Sequence, residues 1–100
     1  MSPAADRPAL LGDAVVAAEL ARTPRWGRAG KAIARTWRFA DFRAAMVFVN
    51  GVAALAEREG HHPDITIRYG EVTLALWTHS AGGLTARDFD LARGIDALSP

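Results

Sequence analysis

One hundred residues, half of them apolar and 23% charged, with a net charge of +1 and no cysteine, make one globular domain of ordinary composition. The composition excludes a disulfide framework, a thiol nucleophile and a thiolate metal site, and the near-zero charge predicts no nucleic-acid partner. No stretch approaches the ~18 uninterrupted apolar residues of a membrane span. The segment Met1 to Arg7 lacks the basic-then-apolar order of a signal peptide, so a cytoplasmic protein with no membrane partner is expected.

Residues 1–9, with two prolines and no periodicity, read as a flexible tail, and residues 10–100 as the single domain. Asp13 is placed to cap a helix over Ala14 to Ala21, which Thr23-Pro24 ends. A hairpin follows. Its first strand lies around Arg25 to Arg28, the turn at Ala29-Gly30, and the second strand over Ala32 to Phe39. Ile33, Arg35, Trp37 and Phe39 alternate there with Ala34, Thr36 and Arg38. Arg35 interrupts the apolar side, which places this strand near an edge or sends the arginine outward.

Seven of the twelve basic residues (Arg22, Arg25, Arg28, Lys31, Arg35, Arg38, Arg43) fall between Arg22 and Arg43. With a total charge so near zero, this stretch reads as a solvated face rather than an anion-binding stripe.

Asp41 caps the longest helix, Phe42 to Glu59, whose core stripe is Phe42, Met46, Val49, Ala53 and Ala56. A second apolar set, Phe48, Val52 and Leu55, lies around the helix from the first. It meets either another subunit or a curved sheet. Gly60 ends the helix. A third strand carries Ile65, Ile67 and Tyr69, and Gly70-Glu71 turns it into a fourth, Val72 to Thr78. Ser80 to Leu84 is a flexible loop, and Thr85-Ala86-Arg87-Asp88 forms a capping box with aspartate in place of glutamate. Phe89, Leu91, Ala92, Ile95 and Leu98 give the last helix its apolar side. The expected fold is α+β in the order α-β-β-α-β-β-α, with a four-stranded, largely antiparallel sheet and helices on one face.

All three histidines, His61, His62 and His79, lie within nineteen residues. Histidine exchanges protons near neutral pH, so this concentration points to acid–base chemistry on a small molecule. Adjacent residues of an extended chain point to opposite sides, which disfavours a three-histidine metal site. Neither a nucleophile elbow nor a phosphate loop surrounds Ser80 or Gly82-Gly83. Taken singly, each site residue has a bland reading. Pro63 ends a helix, Tyr69 is core, Asp88 stabilises a helix start and Glu57 pairs with an arginine.

The spacing Glu57-x3-His61-His62-Pro63-x5-Tyr69-x9-His79-x8-Asp88 resembles the signature of the pterin-4a-carbinolamine dehydratases. Flanking Phe39-Ala40-Asp41-Phe42 and Thr78 to Thr85 agree with it. The resemblance covers residues 10 to 98. It implies dehydration of 4a-hydroxytetrahydropterin to quinonoid dihydropterin, with no cofactor and no metal. It makes His61, His62 and His79 the acid–base set, and Asp88, Glu57, Pro63, Tyr69 and Trp26 the binding or orienting residues. The resemblance further implies a homodimer or homotetramer, assembled through the Phe42–Glu59 helix, and a functional link to an aromatic amino-acid hydroxylase. The alternative is a non-catalytic binding, assembly or coactivator protein on the same fold. Ile65 and Thr66 depart from the aromatic residues that some members carry after the acidic residue.

Overall fold

The computed structural model describes residues 9–100, so the tail expected at 1–9 lies outside the described residues except for Ala9. The elements are α1 (Asp13–Arg22), β1 (Gly27–Ala29), β2 (Ala32–Arg38), α2 (Phe42–Glu59), β3 (Asp64–Arg68), β4 (Glu71–Leu76) and α3 (Ala86–Leu98). The sheet runs β1-β2-β4-β3 and every neighbouring pair is antiparallel. The α+β fold in the expected order is therefore observed. No helix among the described residues is long and apolar enough to cross a membrane.

Register explains the two faces. Ile33 pairs with Leu76, Arg35 with Leu74 and Trp37 with Val72, so alternate residues of the two central strands share one side. Ile33, Val72, Leu74 and Leu76 are fully buried there against Val16 of α1, Phe48 and Val52 of α2, and Phe89 and Ile95 of α3. The other face is polar or small: Thr36 pairs with Thr73, Ala34 with Ala75, and Arg38 with Glu71, to which it forms an ion pair at 2.7 Å. Tight packing holds the layers together. A Cβ on Gly70 would stand 2.5 Å from the Phe39 carbonyl oxygen, and one on Gly94 3.1 Å from Leu55.

Local expectations fared unevenly. Asp41 caps α2 by accepting from Ala44 N at 2.8 Å, and Gly60 closes it in the left-handed conformation (φ 63°). Asp13 is not a cap; Gly12 holds that position, and the Asp13 carboxylate meets Arg28 at 3.0 Å.

The inward stripe of α2 is Ala45, Phe48, Val49, Val52, Leu55 and Ala56, with Met46 partly buried beside it. Val49, Ala56 and Met46 of the expected core stripe thus pack inward together with the second set, Phe48, Val52 and Leu55, over the curved sheet. Phe42 and Ala53 are exposed. A helix with apolar residues on two sides does not reveal which side packs, because both satisfy the same period.

Arg35 lies on a central strand, beneath the helices, with its guanidinium over Trp37 and bonded to Asp96 of α3. Asp96 also accepts from Trp26 Nε1 at 2.9 Å. A long-range carboxylate thus meets a half-buried charge on a strand that β1 flanks only as far as Ala34, where the sequence pattern offered either a near-edge strand or an outward-reaching arginine.

Candidate active site

The strand register builds the site. Asp64 opposes Ala75; continuing that antiparallel pairing back through Pro63 brings His62 and His61 alongside Trp77 and Thr78. The extended backbone required before Pro63 and the left-handed Gly60 turn the chain sharply from α2 into β3. After β4, a 3₁₀ turn over His79–Ala81 carries the third histidine. Gly83 pairs back to Thr78, donating and accepting backbone hydrogen bonds, so the segment expected as a flexible loop is a bonded turn.

The result is a cleft of about 440 Å³ lined by Gly60, His61, His62, Pro63, Asp64, Trp77, Thr78, His79, Ser80 and Arg87. All three imidazoles border it. Arg87 reaches across the entrance to donate to the Gly60 carbonyl at 3.2 Å, tying the start of α3 to the end of α2.

Each histidine is held differently. His61 Nε2 lies 2.6 Å from Oδ1 of Asp88, a carboxylate with 0% exposure. The other oxygen, Oδ2, accepts from Thr78 Oγ1 at 2.8 Å and from the Thr85 amide at 2.9 Å, closing the capping box of α3. Thr78 spends its only hydroxyl proton on Asp88, so Thr85 Oγ1 donates to Thr78, 2.8 Å away, and accepts the Arg87 amide. With both partners of Oδ2 donating, the other carboxylate oxygen, Oδ1, is left to accept from His61 Nε2–H. That leaves Nδ1 as the nitrogen open to a molecule in the cleft.

His62 Nε2 lies 2.7 Å from Glu57 Oε2, and both side chains are largely exposed. Glu57 therefore pairs with a histidine, not with the arginine its bland reading expected. His79 stacks on Trp77, with ring centroids 3.7 Å apart and planes inclined by 25°.

The expected site residues divide cleanly. His61, His62, Pro63 and His79 line the cleft, and Asp88 and Glu57 hold two of the imidazoles. Tyr69 and Trp26 do not join them. Tyr69 sits in the β3–β4 turn with φ 55° and is 88% exposed, beside Arg38, Arg68 and Gly70. It is neither core nor cleft, because its left-handed backbone breaks the alternation that would have turned it inward. Trp26 is buried against Trp37 and bonded to Asp96, a core role.

Sequence reasoning missed Trp77, Thr78 and Arg87. Among the described residues no group of three His, Cys, Asp or Glu side chains is arranged to hold a metal ion.

Fold and cleft together define a small α+β protein with a histidine-lined pocket closed by a buried carboxylate. The sequence profile described as pterin 4 alpha carbinolamine dehydratase matches residues 9–98, and the chain belongs to that family. A protein of Thermomicrobium roseum, provisionally named a pterin-4-alpha-carbinolamine dehydratase, is 55% identical over 91 residues, covering 91% of this chain and 98% of its own. One from Acidobacterium capsulatum with the same provisional name is 60% identical over 79 residues, covering 79% of this chain and 86% of its own. A crystal structure of a transcriptional coactivator/pterin dehydratase from Brucella melitensis superposes with a TM-score of 0.86 at 32% identity, covering 90% of this chain and 98% of its own. A pterin dehydratase-like protein identified as a RuBisCO assembly factor in the alpha-carboxysome shares the fold at a TM-score of 0.60 and 24% identity, over 74% of this chain and 86% of its own.

Proposed function

We propose that this protein is a cytoplasmic enzyme that dehydrates pterin-4a-carbinolamine to quinonoid dihydropterin and water, by histidine acid–base catalysis and without a cofactor. The carrying observation is the convergence of three imidazoles, from two separate segments, on one cleft. In the reaction the C4a hydroxyl takes a proton and leaves as water while the C4a–O bond breaks. The N5 proton is removed, and the pair of electrons it leaves forms the new C=N bond. One group must give a proton and another must take one. Neighbouring imidazoles do both near neutral pH, each positioned acid or base contributing about 10²–10⁴-fold.

His61, His62 and His79 are the acid–base set in this reading. Asp88 fixes His61 with Nδ1 toward the cleft, and Glu57 orients His62. Pro63 sets the backbone that places both. An aromatic amino-acid hydroxylase would supply the carbinolamine.

Self-association through the outer face of α2 belongs to the same proposal. Phe42, Val47 and Leu98 are exposed, and Val47, Phe48, Gly51 and Leu98 line an apolar groove of about 650 Å³. That surface also supports a second reading, in which the protein acts as an assembly or coactivator partner without catalysis.

The deciding experiment follows the loss of 4a-hydroxytetrahydropterin by absorbance, with wild type and His62→Ala. Acceleration by the wild type, reduced about 100-fold or more in the variant, is expected. A folded wild type that leaves the spontaneous rate unchanged would overturn the dehydratase reading in favour of the non-catalytic one.

A further inference from the structure

His61 and His62 are each anchored by a carboxylate, through Nε2. His79 has no such anchor. Its ring forms no hydrogen bond with the described residues, and its 3₁₀ segment is only three residues long. A free imidazole on so short a turn would sample several rotamers, and only some of them face the cleft. What contacts the ring is Trp77, stacked at 3.7 Å. That indole is in turn held by Lys31, whose Nζ lies 3.8 Å from its centroid.

Each contact follows from local structure. Trp77 continues the Thr73, Ala75 series of β4, so it stands on the helix-free face of the sheet, away from the core that takes Val72, Leu74 and Leu76. Lys31 sits in the β1–β2 turn next to Gly30, whose φ of 61° forms the bend. Since Ile33 pairs with Leu76, that turn overhangs the strand end at which Trp77 leaves β4. A cation over an indole is attracted to the ring's negative face, and the lysine stem shields one more apolar surface.

We propose that Trp77 is the positioning residue of His79, holding its ring toward the cleft as Asp88 holds His61 and Glu57 holds His62, and that Lys31 clamps the indole from the β1–β2 turn. The hairpin β1–β2 thereby belongs to the functional unit although none of its residues lines the cleft. Trp77 borders the cleft, but its indole carries no group that exchanges protons near neutral pH; it acts by restricting where the His79 nitrogens lie. Misplacing a proton-transfer group by about 1 Å costs up to about 100-fold in rate. Because some rotamers of an unheld His79 remain productive, a loss of about tenfold in kcat is expected, with KM little changed.

This inference rests on the dehydratase reading for its kinetic arm only. The structural arm is the proton NMR shift of the His79 ring. An imidazole stacked on an indole is displaced upfield by the ring current, whatever the protein catalyses. In Trp77→Ala the His79 signal moves back toward its position in an unfolded peptide; in Trp77→Phe part of the displacement remains, and Lys31→Gln gives a smaller return.

In the kinetic arm, Trp77→Ala lowers kcat about tenfold, Trp77→Phe restores most of it, and Trp77→Ala adds nothing further in a His79→Ala background. A His79 signal without upfield displacement in the wild type overturns the proposal. So does an equal tenfold loss in the His79→Ala background, which would mean that Trp77 acts elsewhere. A Lys31→Gln spectrum identical to the wild type removes the lysine clamp. A wild type without dehydratase activity refutes the proposed reaction, while the NMR comparison still decides whether Trp77 holds His79.

Discussion

Replacing Asp88 separates its structural role from its role at His61. The carboxylate is fully buried and accepts three hydrogen bonds, from His61 Nε2, Thr78 Oγ1 and the Thr85 amide. Asp88→Ala strands all three donors, at about 1–3 kcal/mol for each that finds no other partner. The Thr78 hydroxyl can rotate and His61 can change tautomer, so the Thr85 amide and part of the rest remain unpaired. A loss of about 3–4 kcal/mol is expected, a large share of the roughly 5–15 kcal/mol that holds a small domain folded.

Asp88→Asn differs. Its carbonyl oxygen can still accept from Thr78 and Thr85, and its amide group then faces His61. To accept that amide's hydrogen, Nε2 must lose its own, which moves the proton to Nδ1. Stability should fall by only about 1–2 kcal/mol. The nitrogen facing the cleft, however, now carries a hydrogen where the wild type presents a lone pair. The dehydration rate should drop about 10²–10⁴-fold, the usual worth of one correctly placed proton-transfer group.

Urea titration gives the stabilities, long-range nitrogen–proton NMR of the His61 ring gives the tautomer, and absorbance gives the rate. If Asp88→Asn shows the reversed tautomer but keeps a rate within threefold of wild type, the orientation of His61 is irrelevant to the reaction. If Asp88→Ala loses less than about 1 kcal/mol, the buried network does not carry the weight assigned to it.

Glu57→Ala should show the opposite pattern to Asp88→Ala. The Glu57–His62 pair is exposed, so urea unfolding should shift by less than about 0.5 kcal/mol, while the dehydration rate falls several-fold as His62 loses its anchor. Val47→Glu places a charge on the outer face of α2, where Val47 is 70% exposed. Light scattering should report a smaller assembly than that of the wild type, with the fold intact by circular dichroism. An unchanged mass would remove the outer face of α2 as the contact surface.

The fold was legible where one local cause dominated. The Asp41 cap, the Gly60 stop, the Thr85–Asp88 capping box and the period-two strands each depend on residues a few positions apart, and each is found as read. The misreadings share a cause. Arg35 gives no sign of what meets its charge, because its partner, Asp96, is 61 positions away. The inward face of α2 takes residues from both apolar sets and leaves Phe42 and Ala53 outside, because periodicity gives two apolar sides without ranking them. Tyr69 was assigned to a strand because its positive φ has no marker in a residue that normally avoids it.

Much the same division holds for the site. The sequence alone determined that three histidines, a proline and two carboxylates recur at fixed spacings, and that the pattern resembles one family. Those are properties of order along the chain. Which groups hold which was decided only by tertiary structure. The β3–β4 register brings His61 beside Thr78, the start of α3 places a fully buried Asp88 under His61, and the β1–β2 turn sets Lys31 against the indole that carries His79. Hydrogen bonds and stacking act over a few ångströms, and residues 27 or 46 positions apart come within that range only when the sheet has closed.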